Sequence, residues 1–230
     1  KRSMRMTGES LRQTLRVVRA WEGMALNYST IGKQLDISCP SAKARVQQLV
    51  EARIAWLLHP LEVRDDSRAR KSPKLYLYAS AGALLPAEAA RAQGEILFRR
   101  RMIRRVRKLE SARHPSSSYW YYGGYGKTHV ELIVQTATKR IGFVFIEDNR
   151  LSRRFWSYCR RVLRRGIIQG AFVLYPGHRI FFAADRLVVL PAEEFCKHYR
   201  RWINACLGSS RKLLLSMVRT YNTVHAQHLS

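Results

Sequence analysis

Apolar positions recur at helical spacing through Leu11, Leu15, Val18 and Trp21 to Met24, which predicts a first helix over about residues 10–25. Ser29 has the character of an N-cap for a short helix, Thr30 to Leu35, with Ile31 and Leu35 on one side. Asp36-Ile37-Ser38-Cys39-Pro40 reads as a turn, and Ser41 as the cap of a further helix, Ala42 to Ile54. Two short helices joined this way make a helix-turn-helix. Beyond it, Ile54 to Leu58, the polar run Asp65 to Lys71, and Pro73 to Tyr78 read as strand, loop and strand. The expectation for residues 1–82 is a winged helix-turn-helix domain whose wing tip carries Arg68, Arg70 and Lys71.

The second helix of that pair has a legible face. At about 100° per residue, Ala42, Val46, Leu49 and Val50 cluster on the side that must be buried. Ala44, Gln47, Gln48 and Glu51 fall opposite, flanked by Lys43 and Arg45. Small residues permit close approach and glutamine amides can bond adenine edges, so base contact in a major groove would rest on Gln47 and Gln48. Glu51, at the far end, would be repelled by phosphate.

Residues 83–207 carry a different pattern. Pro86 opens a helical stretch to about Arg113 in which Arg99, Arg100, Arg101, Arg104, Arg105, Arg107 and Lys108 alternate with Ile96, Leu97, Met102, Ile103, Val106 and Leu109. Tyr119 to Tyr122, Val130 to Thr136 and Ile141 to Ile146 read as strands. A helix over Leu151 to Arg165 follows, apolar at Phe155, Trp156, Cys159, Val162 and Leu163 and basic at Arg153, Arg154, Arg160, Arg161, Arg164 and Arg165. Ala171 to Tyr175, Arg179 to Ala183 and Leu187 to Leu190 are three more predicted strands, and Pro191 starts a helix to about Leu207. The fold class is therefore α/β (α+β), with a mixed sheet flanked by helices. Residues 208–230 read as a basic and polar tail.

Charge changes the picture most. Lys and Arg number 42 against 16 Asp and Glu, a net charge of +26, and 32 of the cations are arginine. Such a body attracts polyanions, and the guanidinium fork binds phosphate bidentately and stacks on bases. The expected partner is nucleic acid, DNA ahead of RNA.

Other chemistry is poorly represented. Gly126-Lys127-Thr128 lacks the glycine that a phosphate loop needs at position 121, which is Tyr121, and it leads into a strand. Cys39, Cys159, Cys196 and Cys206 form no CxxC pair, and Cys196 with His198, or His225 with His228, are weak ligand pairs. No apolar run reaches the length of a spanning helix and no signal-peptide core follows Lys1, so a cytoplasmic location is expected. A first residue other than Met is what a fragment or processed product would show.

The run Leu26-Asn27-Tyr28-Ser29 with its helix-turn-helix, then Lys71-Ser72-Pro73-Lys74-Leu75-Tyr76, the hairpin from Tyr119 to Val134 and the segment Gly170 to Ile180 carry a resemblance. Together they resemble the C-terminal region that follows the P-loop module in many bacterial and archaeal AAA-type ATPases, over about residues 11–195. The resemblance implies a winged helix followed by a sheet domain similar to the PD-(D/E)XK nucleases, here without the ATPase module. Glu131 stands where that family usually has aspartate; Val144 and Ile146 replace its Glu-x-Lys, and Arg99 follows Phe98 where a glutamate is common. Such nucleases need clustered carboxylates to hold a divalent cation and a lysine beside the phosphate. The departures imply a pseudo-nuclease with no catalytic residue, no metal and no cofactor, which binds nucleic acid without cutting it. Three other readings remain: a sequence-specific repressor or antitoxin, an adaptor in a larger nucleoprotein complex, and a nuclease whose site has migrated to Glu147 and Asp148.

Overall fold

The computed structural model of the chain describes residues 8–63, 72–78, 94–123, 129–146, 153–208 and 211–226. Its elements are mixed α/β and divide into two compact units, Lys1–Pro60 with Arg70–Arg100 and Leu61–Ala69 with Arg101–Ser230. The wing-tip cations Arg68, Arg70 and Lys71, the turn at Gly126–Thr128, the helix start at Pro86 and the pair Glu147 and Asp148 lie outside the described residues.

In the first unit, α1 (Gly8–Arg19) stops short of the expected end near residue 25. The chain turns at Gly23, whose φ of 77° is open to glycine, and its backbone then meets a strand instead of continuing the helix. Gly23 N donates to Leu75 O and Leu26 N to Pro73 O. The apolar spacing through Trp21 and Ala25 thus belongs partly to an extended segment. Helix α2 (Tyr28–Leu35) is capped by Asn27, whose side chain accepts from Thr30 N, two positions before the expected cap Ser29. It ends on Asp36, in the left-handed region at φ 53°.

Helix α3 (Cys39–Glu51) is capped by Ser38, which accepts from Ser41 N and leaves Pro40 in the first turn, where its missing N–H costs nothing. Gly32 fixes the turn between the two helices: a Cβ there would stand 2.7 Å from Ile37 O. Strands β1 (Ala55–Pro60) and β2 (Lys74–Leu77) pair antiparallel, with Trp56 stacked on Tyr76 at 4.6 Å. Leu15, Val18, Leu26, Ile31, Leu35, Ala42, Val46, Leu49, Ala55, Leu75 and Leu77 form the core of this unit.

Helix α4 (Gly94–Ser111) begins in the first unit and continues into the second from Arg101. The second unit then runs β3 (Ser118–Gly123), β4 (His129–Gln135), β5 (Arg140–Phe145), α5 (Arg153–Arg164), β6 (Gly170–Tyr175), β7 (Phe181–Ala184) and β8 (Leu187–Pro191). Its strands lie in the order β3-β4-β5-β6-β8-β7. The first three are antiparallel, β5, β6 and β8 are parallel, and β7 returns antiparallel to β8. Alternation along each strand divides the side chains between two faces. Val144, Ala171, Val173, Leu187 and Val189 join Cys159 and Val162 of α5 on one face. Phe143 and Phe172 meet Phe195 on the other, at 5.6 and 5.0 Å between ring centroids.

The expected helix from Pro191 to Leu207 is two helices, α6 (Ala192–Lys197) and α7 (Tyr199–Leu207), broken at His198 (φ −117°, ψ 31°). The segment read as a tail from residue 208 instead contains α8 (Arg211–Ala226), with Leu214, Met217 and Val218 buried. Their i, i+3, i+4 spacing is that of a helix packing one stripe against a core. Asn222 of α8 grips the start of β7 at two points, its Nδ2 donating to Ile180 O at 2.8 Å and its Oδ1 accepting from Ile180 N at 3.2 Å. Among the described residues, no helix is long and apolar enough to cross a membrane.

Candidate nucleic-acid interface

Helix α5, with Arg165 just after its end, presents its cations on one exposed face. Cys159 and Val162 are buried, Phe155, Trp156, Tyr158 and Leu163 are half-buried, and Arg153, Arg154, Arg160, Arg161, Arg164 and Arg165 are all exposed. At about 100° per residue the six fall in an arc of roughly 140°, as two rows: Arg153, Arg160 and Arg164, then Arg154, Arg161 and Arg165. Each row spans about 16 Å along the helix axis. The helix has no acidic residue. Arg161 lies over the Tyr158 ring at 5.8 Å, and the Tyr158 hydroxyl donates to Tyr122 O at 3.1 Å, so the ring that backs this guanidinium is itself anchored to β3. Burial pushes the Tyr158 hydroxyl pKa up, with Tyr122, Cys159 and Glu131 adding to the effect.

Glu131, Val144 and Ile146 are brought together on the sheet face beneath this helix. A bulge between Trp120 and Tyr122 sets two residues of β4 against one of β3, and Glu131 sits in it. Its carboxylate is buried at 4 % exposure and, after burial itself, is the next cause raising the Cys159 thiol to about 12. Val144 is part of the core and Ile146 packs against it, among Val130, Ile133, Cys159 and Val173. Among the described residues Glu131 is a single carboxylate beside the Cys159 thiol and aliphatic side chains, whereas a hard divalent cation needs several oxygen ligands. Among the described residues no group of three or more His, Cys, Asp or Glu could hold a metal ion. Arg99 is half-buried on α4, in the first unit.

The remaining α4 arginines divide. Arg101 and Arg105 are exposed and Arg104 is half-buried. Arg100 does not present a free charge to a ligand: its Nη1 lies 3.3 Å from both Oε1 and Oε2 of Glu22, a carboxylate that also accepts from Leu77 N at 3.1 Å. The expected place of Arg100 on a phosphate-contacting face is thus shared with an ion pair. A partner 78 positions away in sequence holds it.

On α3, Lys43, Ala44 and Gln47 are exposed, while Arg45 and Gln48 are half-buried. The Gln48 carbonyl oxygen is shut away from solvent, while Gln47 is exposed with Lys43 on the same helix. Gln47 Nε2 donates to Glu51 Oε1 at 3.4 Å, an exposed bond easily exchanged for a ligand. Lys43, Ala44 and Gln47 border a groove of about 620 Å³ that also includes Tyr28, Leu57, His59 and Pro73. Sequence reasoning missed Tyr28 and His59. The signal was present for His59, because strand alternation puts it on the same side of β1 as the half-buried Leu57. It also missed an aromatic group at the end of the second unit's sheet, where Phe181 is 45 % exposed beside Trp156.

Compared with models of protein families, with curated proteins and with solved structures, the chain has no significant match to any of them.

Proposed function

We propose that this chain is a non-enzymatic nucleic-acid-binding protein, with DNA the favoured ligand, in which a winged helix-turn-helix is joined to a nuclease-like sheet that no longer holds a metal. The order of three helices and a hairpin in the first unit supports the winged-helix part of the reading. The antiparallel meander β3-β4-β5, crossing through α5 to the parallel strand β6, supports the nuclease-like part. Val144 in the apolar core and Ile146 packed against it, at the positions of the family's Glu-x-Lys, support a loss of catalysis.

The observation that carries the proposal is the face of α5: its five exposed arginines and Arg165 just after it form two rows, with no carboxylate in the helix, on a chain of net charge +26. Fluorescence anisotropy with a labelled duplex, titrated across a range of salt, tests it. Each phosphate neutralised lowers the slope of log affinity against log salt by about 0.9, so six contacts give a slope near −5 and a loss of about a thousandfold from 50 to 200 mM. An affinity flat over that range refutes the proposal. The exposed Lys43 and Gln47 beside the α3 groove favour, as a second reading, a sequence-specific repressor. Selection from random duplexes separates the two, since a repressor returns one preferred site and a phosphate binder returns none.

A further inference from the structure

Phosphate contacts do not account for the aromatic residues beside the α5 arginines. Strand β7 ends the order of strands in the second unit, and Phe181 pairs with Val189, whose side chain belongs to the core under α5. Phe181 therefore faces the α5 side, where its ring meets Trp156 edge-on at 6.4 Å and 67°. Trp156 in turn meets Phe155 edge-on at 5.1 Å and 75°. Nearly half of Phe181 is open to solvent, although a large apolar side chain at a sheet edge gains nothing there from water. Arg153 and Arg160 lie one helical turn to either side of Trp156 and both are exposed. Arg179, also exposed, precedes Phe181 by two residues in a loop held by the Tyr175 hydroxyl, which donates to Arg179 O at 2.7 Å and accepts from Arg179 N at 2.9 Å.

We propose that this corner of the second unit binds single-stranded nucleic acid, stacking an unpaired base on the Phe181–Trp156 pair while arginines of α5 hold the flanking phosphates. The proposal rests on the nucleic-acid reading above and narrows it. A second copy of this chain is a poor occupant for the patch, since it brings another +26 charge to a cationic surface. Charge complementarity selects a polyanion, and the aromatic rings select one with accessible π-faces. In a duplex those faces are covered by neighbouring base pairs, whereas in a single strand each base has a face to offer.

The test compares an oligothymidylate of about twenty nucleotides with an abasic strand of equal length and with a duplex, each labelled, at one low salt concentration. One stacked base is worth about 5- to 150-fold in affinity. The wild-type chain is expected to prefer oligothymidylate over the abasic strand by a factor in that range. Phe181→Ala is expected to abolish the preference and leave duplex affinity unchanged, which also reports that the variant is folded. Arg160→Ala with Arg164→Ala is expected to weaken both single strands alike. Equal wild-type affinity for the abasic strand and oligothymidylate overturns the stacking proposal while leaving phosphate binding intact. So does a Phe181→Ala variant that keeps the preference. Failure of the wild-type chain to bind any of the three overturns the nucleic-acid reading beneath it.

Discussion

Replacing Arg100 should cost stability and leave nucleic-acid affinity nearly unchanged, the reverse of what its place in a run of arginines suggests. The Glu22 side chain is 2 % exposed and that of Arg100 is 22 % exposed. In Arg100→Leu the carboxylate stays buried, with the Leu77 amide still donating to it at 3.1 Å. Breaking one side of a buried pair costs about 3–5 kcal/mol, and the partial exposure of Arg100 argues for the lower end, about 3 kcal/mol. In Glu22→Leu the guanidinium can turn to water, and the loss is the hydrogen bond to Leu77 N, about 1–3 kcal/mol. The double variant has no buried charge left, so adding Arg100→Leu to Glu22→Leu should cost almost nothing, a coupling of about 2–3 kcal/mol. Urea unfolding followed by circular dichroism reads all four corners of this cycle, and by heat the single Arg100 variant should lose about 6–12 °C. An Arg100→Leu variant that unfolds at the wild-type midpoint but binds duplex DNA more weakly would refute the reasoning and return Arg100 to the interface.

Cys159 and Cys206 are both raised by burial from the usual 9.0 to about 12, whereas Cys39 is exposed, so a thiol reagent at pH 8 should titrate Cys39 rapidly in the native chain and all four cysteines after denaturation; fast modification of Cys159 or Cys206 in the native chain contradicts this. The unfolded chain ionises these two thiols from about pH 9 while the folded chain keeps their protons, so their contribution to stability is complete below pH 9 and is lost as pH rises towards 12, a decline that thermal melts at stepped pH will register. Gln47→Ala should weaken discrimination between duplex sequences by about 1–3 kcal/mol with little change in non-specific affinity, and a selection experiment unchanged by it removes α3 from base contact. Plasmid and single strands incubated with magnesium or manganese should remain intact, and cleavage that vanishes in Glu131→Ala would revive a migrated nuclease site.

Local pattern carried most of the elements. The buried stripe Ala42, Val46 and Leu49 of α3 and the divided faces of α5 follow from a period of 3.6, and strands β4 to β6 from runs of β-branched and aromatic residues, none of which needs a partner to be seen. What escaped depends on residues distant in sequence. Arg100 looks like one more cation in a basic run until the chain brings Glu22 to it. Gln48 belongs to an exposed arc by angle alone, yet its carbonyl oxygen ends up away from solvent. The stripe Leu214, Met217 and Val218 was visible in residues 208–230, but polar neighbours on both sides masked it, and its burial becomes evident only against α7. His198 carries no breaker signature of the kind Gly or Pro supplies, so the division between α6 and α7 had no local sign.

The grip of Asn222 on Ile180 has a consequence for how this chain lives with its own copies. A strand at the end of a sheet offers backbone donors and acceptors to any extended segment that drifts past, including the same segment of another molecule. A carboxamide has one donor group and one acceptor group arranged as in a peptide unit, so Asn222 meets Ile180 as a neighbouring strand would, over one residue. That single side chain places a helix where a second strand would begin to zip. Keeping β7 from recruiting a strand thus depends on α8 staying docked, and the helix serves as a stopper for the sheet as much as a part of its core.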